Sequence, residues 1–216
     1  MGEILFVRHG QANSQARNEV DYDRLSDLGR QQAAWLGDHL RAHEAPFDTI
    51  LTGTLQRQIQ TAAAMGDLGA RPTTDPRLNE MDYFTLGRAL EQSHGVPMPS
   101  PDDFVLHAPL VLEAWHRAEI EGCESFASFE TRVTGVLAEA TQPGRRVLCV
   151  TSGGVIGMMM RALLNLDPRR VAHVLTPILN SSLHRVQVTP HGTLLSGFNA
   201  TPHLDSPERA HARTTY

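Results

Sequence analysis

Short apolar runs alternating with stretches of helical periodicity constrain this chain most. Residues Ile4 to Val7, bounded by Gly10, are apolar without a break, which reads as a buried strand. Phe47 to Leu51 and Arg146 to Thr151 read the same way. Between the first two runs, Ser26 opens a helix that carries Leu28, Trp35, Leu36 and Leu40 on one face and stops before Pro46. After the second run, Leu55, Ile59, Ala62 and Met65 recur at helical spacing. Strand, helix, strand, helix is the order of parallel βαβ units. The expected fold is therefore α/β: three layers, α/β/α, around a mostly parallel sheet.

The later chain extends the pattern. Ser125 caps an amphipathic helix through Phe126, Phe129, Val133, Val136, Leu137 and Ala140. Ser152-Gly153-Gly154 turns the third run into a helix from Val155 to Leu164, and Asp167-Pro168 starts another. Leu183 to Val188 and Leu194 to Phe198 flank Pro190-His191-Gly192, a hairpin signal. Gln11 to Leu25 reads as a polar loop. Gly, Pro and acidic residues interrupt positions 66–122, with three prolines between Pro97 and Pro101. We read about 81–122 as an insertion capping one end of the sheet, 1–204 as one domain, and 205–216 as a polar, frayed tail.

Composition narrows the chemistry. The 216 residues are 41% hydrophobic and 20% charged, with a formal net charge of −5. That balance argues against a nucleic-acid binder with a basic face. No apolar stretch reaches the length of a membrane span, and the N-terminal residues carry no signal-peptide pattern. All 19 basic residues are Arg. Without Lys, P-loop nucleotide hydrolysis and Schiff-base chemistry are excluded. Cys123 and Cys149 suggest neither a disulfide framework nor a C-x-x-C motif, so the expected compartment is the cytoplasm.

In open α/β sheets ligands bind beyond the carboxyl ends of the strands. The first strand here ends in Arg8-His9-Gly10, the second leads to Arg57, and the third runs into Ser152-Gly153 at a helix N-terminus. Two guanidinium forks and helix N–H groups suit a phosphoryl dianion. A neutral imidazole in line with phosphorus is a competent nucleophile. Glu80, in Leu78-Asn79-Glu80, is the candidate general acid, with Asp82 as its competitor. Gln11 and Asn13 follow the strand end and either line the pocket or solvate a loop.

These motifs resemble the histidine phosphatase superfamily, the phosphoglycerate-mutase-like fold. Arg8-His9-Gly10, Leu25-Ser26-x-x-Gly29-x-x-Gln32-Ala33, Leu55-Gln56-Arg57 with Gln60-Thr61, Leu78-x-Glu80 and Gly122-x-Glu124-Ser125 stand in the family's order. The resemblance implies that His9 accepts the phosphoryl group, Arg8 and Arg57 hold its oxygens, and Glu80 is the acid. It also implies that neither a metal nor an organic cofactor is needed. Thr52-Gly53-Thr54 stands where many members carry a serine-rich turn. Ser152-Gly153 stands where members carry His-Gly, resembling a branch with Ser-Gly-Gly. A charge-assisted donor is thereby lost, so slow turnover is expected, with a roughly tenfold gain on Ser152→His. His184 and His203, near late strand ends, are alternative sources of that donor, and Ser152 itself reads equally as a helix cap.

The resulting expectation is a phosphomonoesterase acting through phosphohistidine on a small phosphorylated molecule, with inorganic phosphate as a ligand and no nucleic-acid or membrane partner. A catalytically weak phosphate-binding module and a phosphoglycerate-type mutase are the alternatives. The acidic residues of the capping segment argue against a highly phosphorylated substrate. His39 and His43 have metal-ligand spacing without an evident third ligand, and read as an exposed helix face.

Overall fold

The strand β1 (Gly2–Arg8) explains why the sheet is buried on both sides. Ile4 and Phe6 enter one core, Leu5 and Val7 the other, and all four are fully buried. The computed structural model describes all residues except Arg17, Pro101 and Tyr216. The last two belong to the proline-rich stretch and the polar tail of the sequence reading, and lie outside the described residues.

Among the described residues six strands form one sheet in the order β3-β2-β4-β1-β5-β6. β1 runs parallel to β4 (Arg146–Thr151), which runs parallel to β2 (Thr49–Thr52), and β2 is parallel to β3 (Pro72–Thr74). The hairpin β5 (Leu183–Thr189) and β6 (Gly192–Ala200) adds two antiparallel strands beside β1. Helices α2 (Asp27–His43) and α3 (Gln56–Met65) cover one face through Leu36, Leu40, Ala62 and Met65. The other face packs against α6 (Phe126–Ala140), α7 (Gly153–Leu164) and α8 (Pro168–Leu175). The fold is thus α/β with a mixed, mostly parallel sheet. Ser26 and Ser125 cap α2 and α6 by accepting from the Gly29 and Ser128 backbone N–H groups, each contributing about 1 kcal/mol.

Four features depart from the sequence reading. The loop after β1 contains a one-turn helix, α1 (Glu19–Tyr22), capped by Asn18. The interrupted segment contains two regular helices, α4 (Tyr83–His94) and α5 (Phe104–His116), the second with Pro109 inside it. β3 is fully exposed and so has no apolar alternation to reveal it. The tail is docked rather than frayed: residues Pro207–Ala212 form a 3₁₀ helix with Ala212 buried. Gln32 Nε2 donates to the Ala212 carbonyl at 2.6 Å and to Thr214 Oγ1 at 3.1 Å, and Asn180 N donates to the Thr214 carbonyl at 2.7 Å.

His39 and His43 stack on each other at 4.4 Å. No group of three potential metal ligands occurs among the described residues, and none of their helices is long and apolar enough to cross a membrane.

Candidate active site

Parallel pairing sets Arg8 opposite Thr151, so the carboxyl ends of β1 and β4 finish side by side. The His9 N–H then donates to the Thr151 carbonyl at 2.9 Å. A cavity of about 470 Å³ opens there, with Arg8, Arg57, Glu80 and Gly153 in its walls. Gly10 and Gly29 let the start of α2 press onto the loop below: a Cβ on Gly10 would overlap the Gly29 carbonyl, and one on Gly29 would lie 2.8 Å from the Gln11 nitrogen.

His9 is 2% exposed and is not itself among the residues lining this cavity; its ring centroid lies 6.4 Å from that of Tyr22, which does line it. Its Nδ1 stands 2.7 Å from the Gly10 carbonyl, a geometry in which Nδ1–H donates and Nε2 keeps its lone pair. Burial, then the Arg57 and Arg8 charges, hold the imidazole's pKa well below its ordinary value, against the smaller pull of the Gly10 bond. The ring is therefore neutral at pH 7.

The two arginines are held by one part of the guanidinium and left open at another. Arg8 Nη1 donates to the Ile178 carbonyl, while its buried Nε has no partner. Arg57 is fully buried. Its Nη1 meets Glu19 Oε1 at 2.7 Å and Asp23 Oδ1 at 3.1 Å, and the Tyr22 ring lies 4.9 Å from its guanidinium carbon. Asp23 also receives the Gln56 and Arg57 backbone N–H groups, fixing the start of α3. Arg57 Nε and Nη2 are buried without a partner. Burial opposes the Arg57 charge, but Glu19, Tyr22 and Glu80 outweigh it. Buried donors left unsatisfied cost about 1–3 kcal/mol each; an anion accepting from both arginines removes that cost.

Glu80 is clamped by backbone. Its Oε2 accepts from Gly154 N at 2.9 Å and its Oε1 from Met81 N at 3.0 Å. Asp82, its competitor in the sequence, instead caps α4 through Thr85 and does not line the cavity.

Two residues placed at the phosphate by the sequence reading do not line the cavity. Ser152 is fully buried, and its Oγ accepts from Gln58 Nε2 at 2.8 Å; Gln58 also donates to the Leu78 carbonyl at 2.9 Å. Gln11 is engaged with α2: its N–H donates to Gln32 Oε1 at 2.8 Å, and its Oε1 accepts from Ser26 Oγ at 2.8 Å. Neither alternative histidine reaches the cavity. His184 is bonded through Nε2 to Ser182 Oγ at 2.9 Å and His203 through Nε2 to Ser181 Oγ at 2.8 Å.

The sequence reading missed Glu19, Tyr22 and Asp23. They sit in a segment without apolar periodicity, and the Asp23 contact with Arg57 spans 34 positions. It also missed the role of Gln58, whose partner lies 94 positions away.

The α/β sheet thus brings Arg8, at the end of β1, and Arg57, on α3, close enough to the buried His9 for both charges to act on its ring. The chain matches the Histidine phosphatase superfamily (branch 1) over residues 4–201 and belongs to it. A glucosyl-3-phosphoglycerate phosphatase of Mycolicibacterium vanbaalenii is 31% identical to it over 180 residues, 76% of this chain and 74% of the relative. A 2,3-bisphosphoglycerate-dependent phosphoglycerate mutase of Rhizobium etli is 25% identical over 203 residues, 86% of this chain and 91% of the relative. A phosphoserine phosphatase of Entamoeba histolytica, solved as a mutant with phosphoserine, shares the fold with a TM-score of 0.70 at 18% identity, covering 94% of this chain and all of that one. The same phosphatase has also been solved with 3-phosphoglyceric acid.

Proposed function

We propose that the chain hydrolyses small phosphomonoesters through a phosphohistidine on His9. The observation that carries this reading is the unpartnered, buried N–H of Arg8 Nε and of Arg57 Nε and Nη2, on two arginines whose charges both act on the buried His9 imidazole. His9 Nε2 forms the N–P bond as the ester O–P bond breaks. Glu80 gives the leaving oxygen its proton. Water then attacks phosphorus, Glu80 takes back a proton, and the N–P bond breaks to release inorganic phosphate. Arg8, Arg57 and the α7 N-terminus at Gly153 neutralise charge on the equatorial oxygens throughout. No step calls for a metal or an organic cofactor.

Ser152 takes the place of the second histidine as a regular trait of its branch, and its hydroxyl belongs to the scaffold through Gln58. The phosphatase relative favours hydrolysis, whereas the mutase relative favours phosphoryl transfer back to an acid. A mutase must also hold a second anionic group, for which the described cavity walls offer no cation besides Arg8 and Arg57.

The test is phosphoryl labelling from a ³²P-labelled aryl phosphate followed by acid treatment. Wild type should carry an acid-labile label and His9→Ala none, with turnover lost and the fold intact by circular dichroism. Label surviving on His9→Ala would overturn the nucleophile assignment.

A further inference from the structure

The cavity is much larger than a phosphoryl group, and the surplus space is walled by rings and thioethers. Tyr22, Tyr83, Phe84 and Phe104 line it, together with Met81 and Met98. The rings form two packed pairs: Tyr22 against Phe84 with centroids 6.2 Å apart at 65°, and Tyr83 against Phe104 at 5.1 Å and 55°. The Tyr83 hydroxyl is already hydrogen-bonded to His107 Nδ1 at 2.6 Å. Edge-to-face and tilted rings of this kind, beside polarizable sulfur, favour another ring or an alkyl group as the occupant.

The charges of the walls point the same way. Among the described lining residues Arg8 and Arg57 are the only cations, and the proposed reaction uses both at the phosphoryl group. Arg57 already shares its Nη1 between the Glu19 and Asp23 carboxylates. Glu19 and Glu80 also line the cavity. Burial presses the Glu19 carboxyl's pKa upward; Arg57 opposes this, while Glu80 and Asp82 add to it. A second negative charge on the substrate would thus enter a partly desolvated space that already holds two carboxylates, with no cation besides Arg8 and Arg57 among the described lining residues to receive it.

We propose that the alcohol half of the substrate is apolar and uncharged, with an aromatic or alkyl group seated between the two ring pairs, and that substrates carrying a carboxylate are disfavoured. This rests on the phosphomonoesterase reading. It separates the chain from the Entamoeba phosphatase, whose bound phosphoserine and 3-phosphoglyceric acid both carry a carboxylate.

Benzyl phosphate and 4-carboxybenzyl phosphate test the proposal cleanly, because a remote carboxylate changes the charge and leaves the benzylic leaving oxygen nearly unaltered. The expected kcat/KM ratio is about tenfold or more in favour of benzyl phosphate, equivalent to about 1.4 kcal/mol. Phosphoserine and 3-phosphoglycerate should fall below benzyl phosphate as well. Phe84→Ser should narrow the benzyl-to-ethyl phosphate ratio by about tenfold, since only the benzyl group reaches the ring pairs. Phosphate release at equal efficiency from the two benzyl esters, or faster release from the carboxylated one, would overturn the inference and leave the hydrolase reading standing. Calorimetry with benzylphosphonate and 4-carboxybenzylphosphonate repeats the comparison without turnover. Tighter benzylphosphonate binding with no hydrolysis of any ester would support the cavity's preference and retire the hydrolase reading. Equal binding of the two phosphonates would overturn the inference.

Discussion

Gly154→Ala should disable the proposed acid without harming the fold. A Cβ at position 154 would overlap Glu80 Oε1, and would lie 3.1 Å from Glu80 Cδ and 2.9 Å from Met81 Cε. Unstrained contacts between carbon atoms are about 3.5–4.0 Å. The backbone at 154 is fixed in the first turn of α7, so the flexible carboxylate is what gives way. It must swing by roughly 1 Å and lose its 2.9 Å bond from Gly154 N. A misplacement of about 1 Å at a reacting group costs on the order of 10²-fold, or about 2.7 kcal/mol of transition-state stabilisation. Stability should move the other way, because alanine is favoured over glycine inside a helix by about 1 kcal/mol. The assay is kcat/KM on a matched alkyl and aryl phosphate, with Tm measured alongside. The expected result is a loss near 10²-fold on the alkyl ester, a much smaller loss on the aryl ester, and an unchanged or higher Tm. Glu80→Gln should give the same leaving-group pattern. Wild-type alkyl rates for Gly154→Ala would refute the clamp, and equal losses on the two esters would refute the acid role.

Other substitutions test other parts of the site. Ser152→His must displace Gln58 from a fully buried position; overpacking of this kind costs about 1–3 kcal/mol, so a lower denaturation midpoint is expected with no rise in kcat/KM. A tenfold rise would show instead that the imidazole reaches the phosphoryl group and that serine limits the rate. Burial brings the pKa of His184 down to about 3, helped by Arg8, and that of His203 down to about 3, helped by His39 and Arg209. Each is neutral when folded and gains a proton on unfolding below about pH 6.5, so their contribution is complete above that pH and falls as pH drops toward 3. The slope is up to about 1.4 kcal/mol per pH unit per histidine. Urea midpoints at pH 7 and pH 5 should differ accordingly and less so for His203→Asn; equal midpoints would contradict neutral burial. Gln32→Ala removes the bonds to Ala212 and Thr214, and should speed amide exchange at residues 207–215 before it changes exchange in β1; unaltered exchange there would show that the tail is held by other contacts.

What could be read in the sequence divides by the range of the interactions. β4 and α6 match their expected spans within a residue because their own side chains supply the periodicity. Arg8, His9, Arg57 and Glu80 are legible as motifs, and the structure brings Arg8, Arg57 and Glu80 to the cavity wall, while His9 is buried and does not line it. α5 escaped notice because it is apolar nearly all round and holds Pro109, so no stripe stands out. β3 escaped because its three residues are exposed and its pairing with β2 leaves no apolar pattern in the sequence. Ser152 is the instructive site residue: its neighbours in sequence suggest a cap or an anion contact, whereas its partner is a glutamine on another helix.

The anchoring of Arg8 and His9 has a consequence for how the chain comes into being. Arg8 is bonded to the carbonyl of Ile178, 170 positions later, and the His9 carbonyl receives the Ser181 N–H at 3.2 Å. At a synthesis rate of about 5–20 residues per second, β1 waits on the order of ten to thirty seconds for these partners. During that interval a strand apolar on both faces has neither β4 nor β5 beside it until each is made, which is the condition under which strands pair wrongly. The two residues on which the proposed reaction most depends are thus among the first to be made and among the last to find their partners.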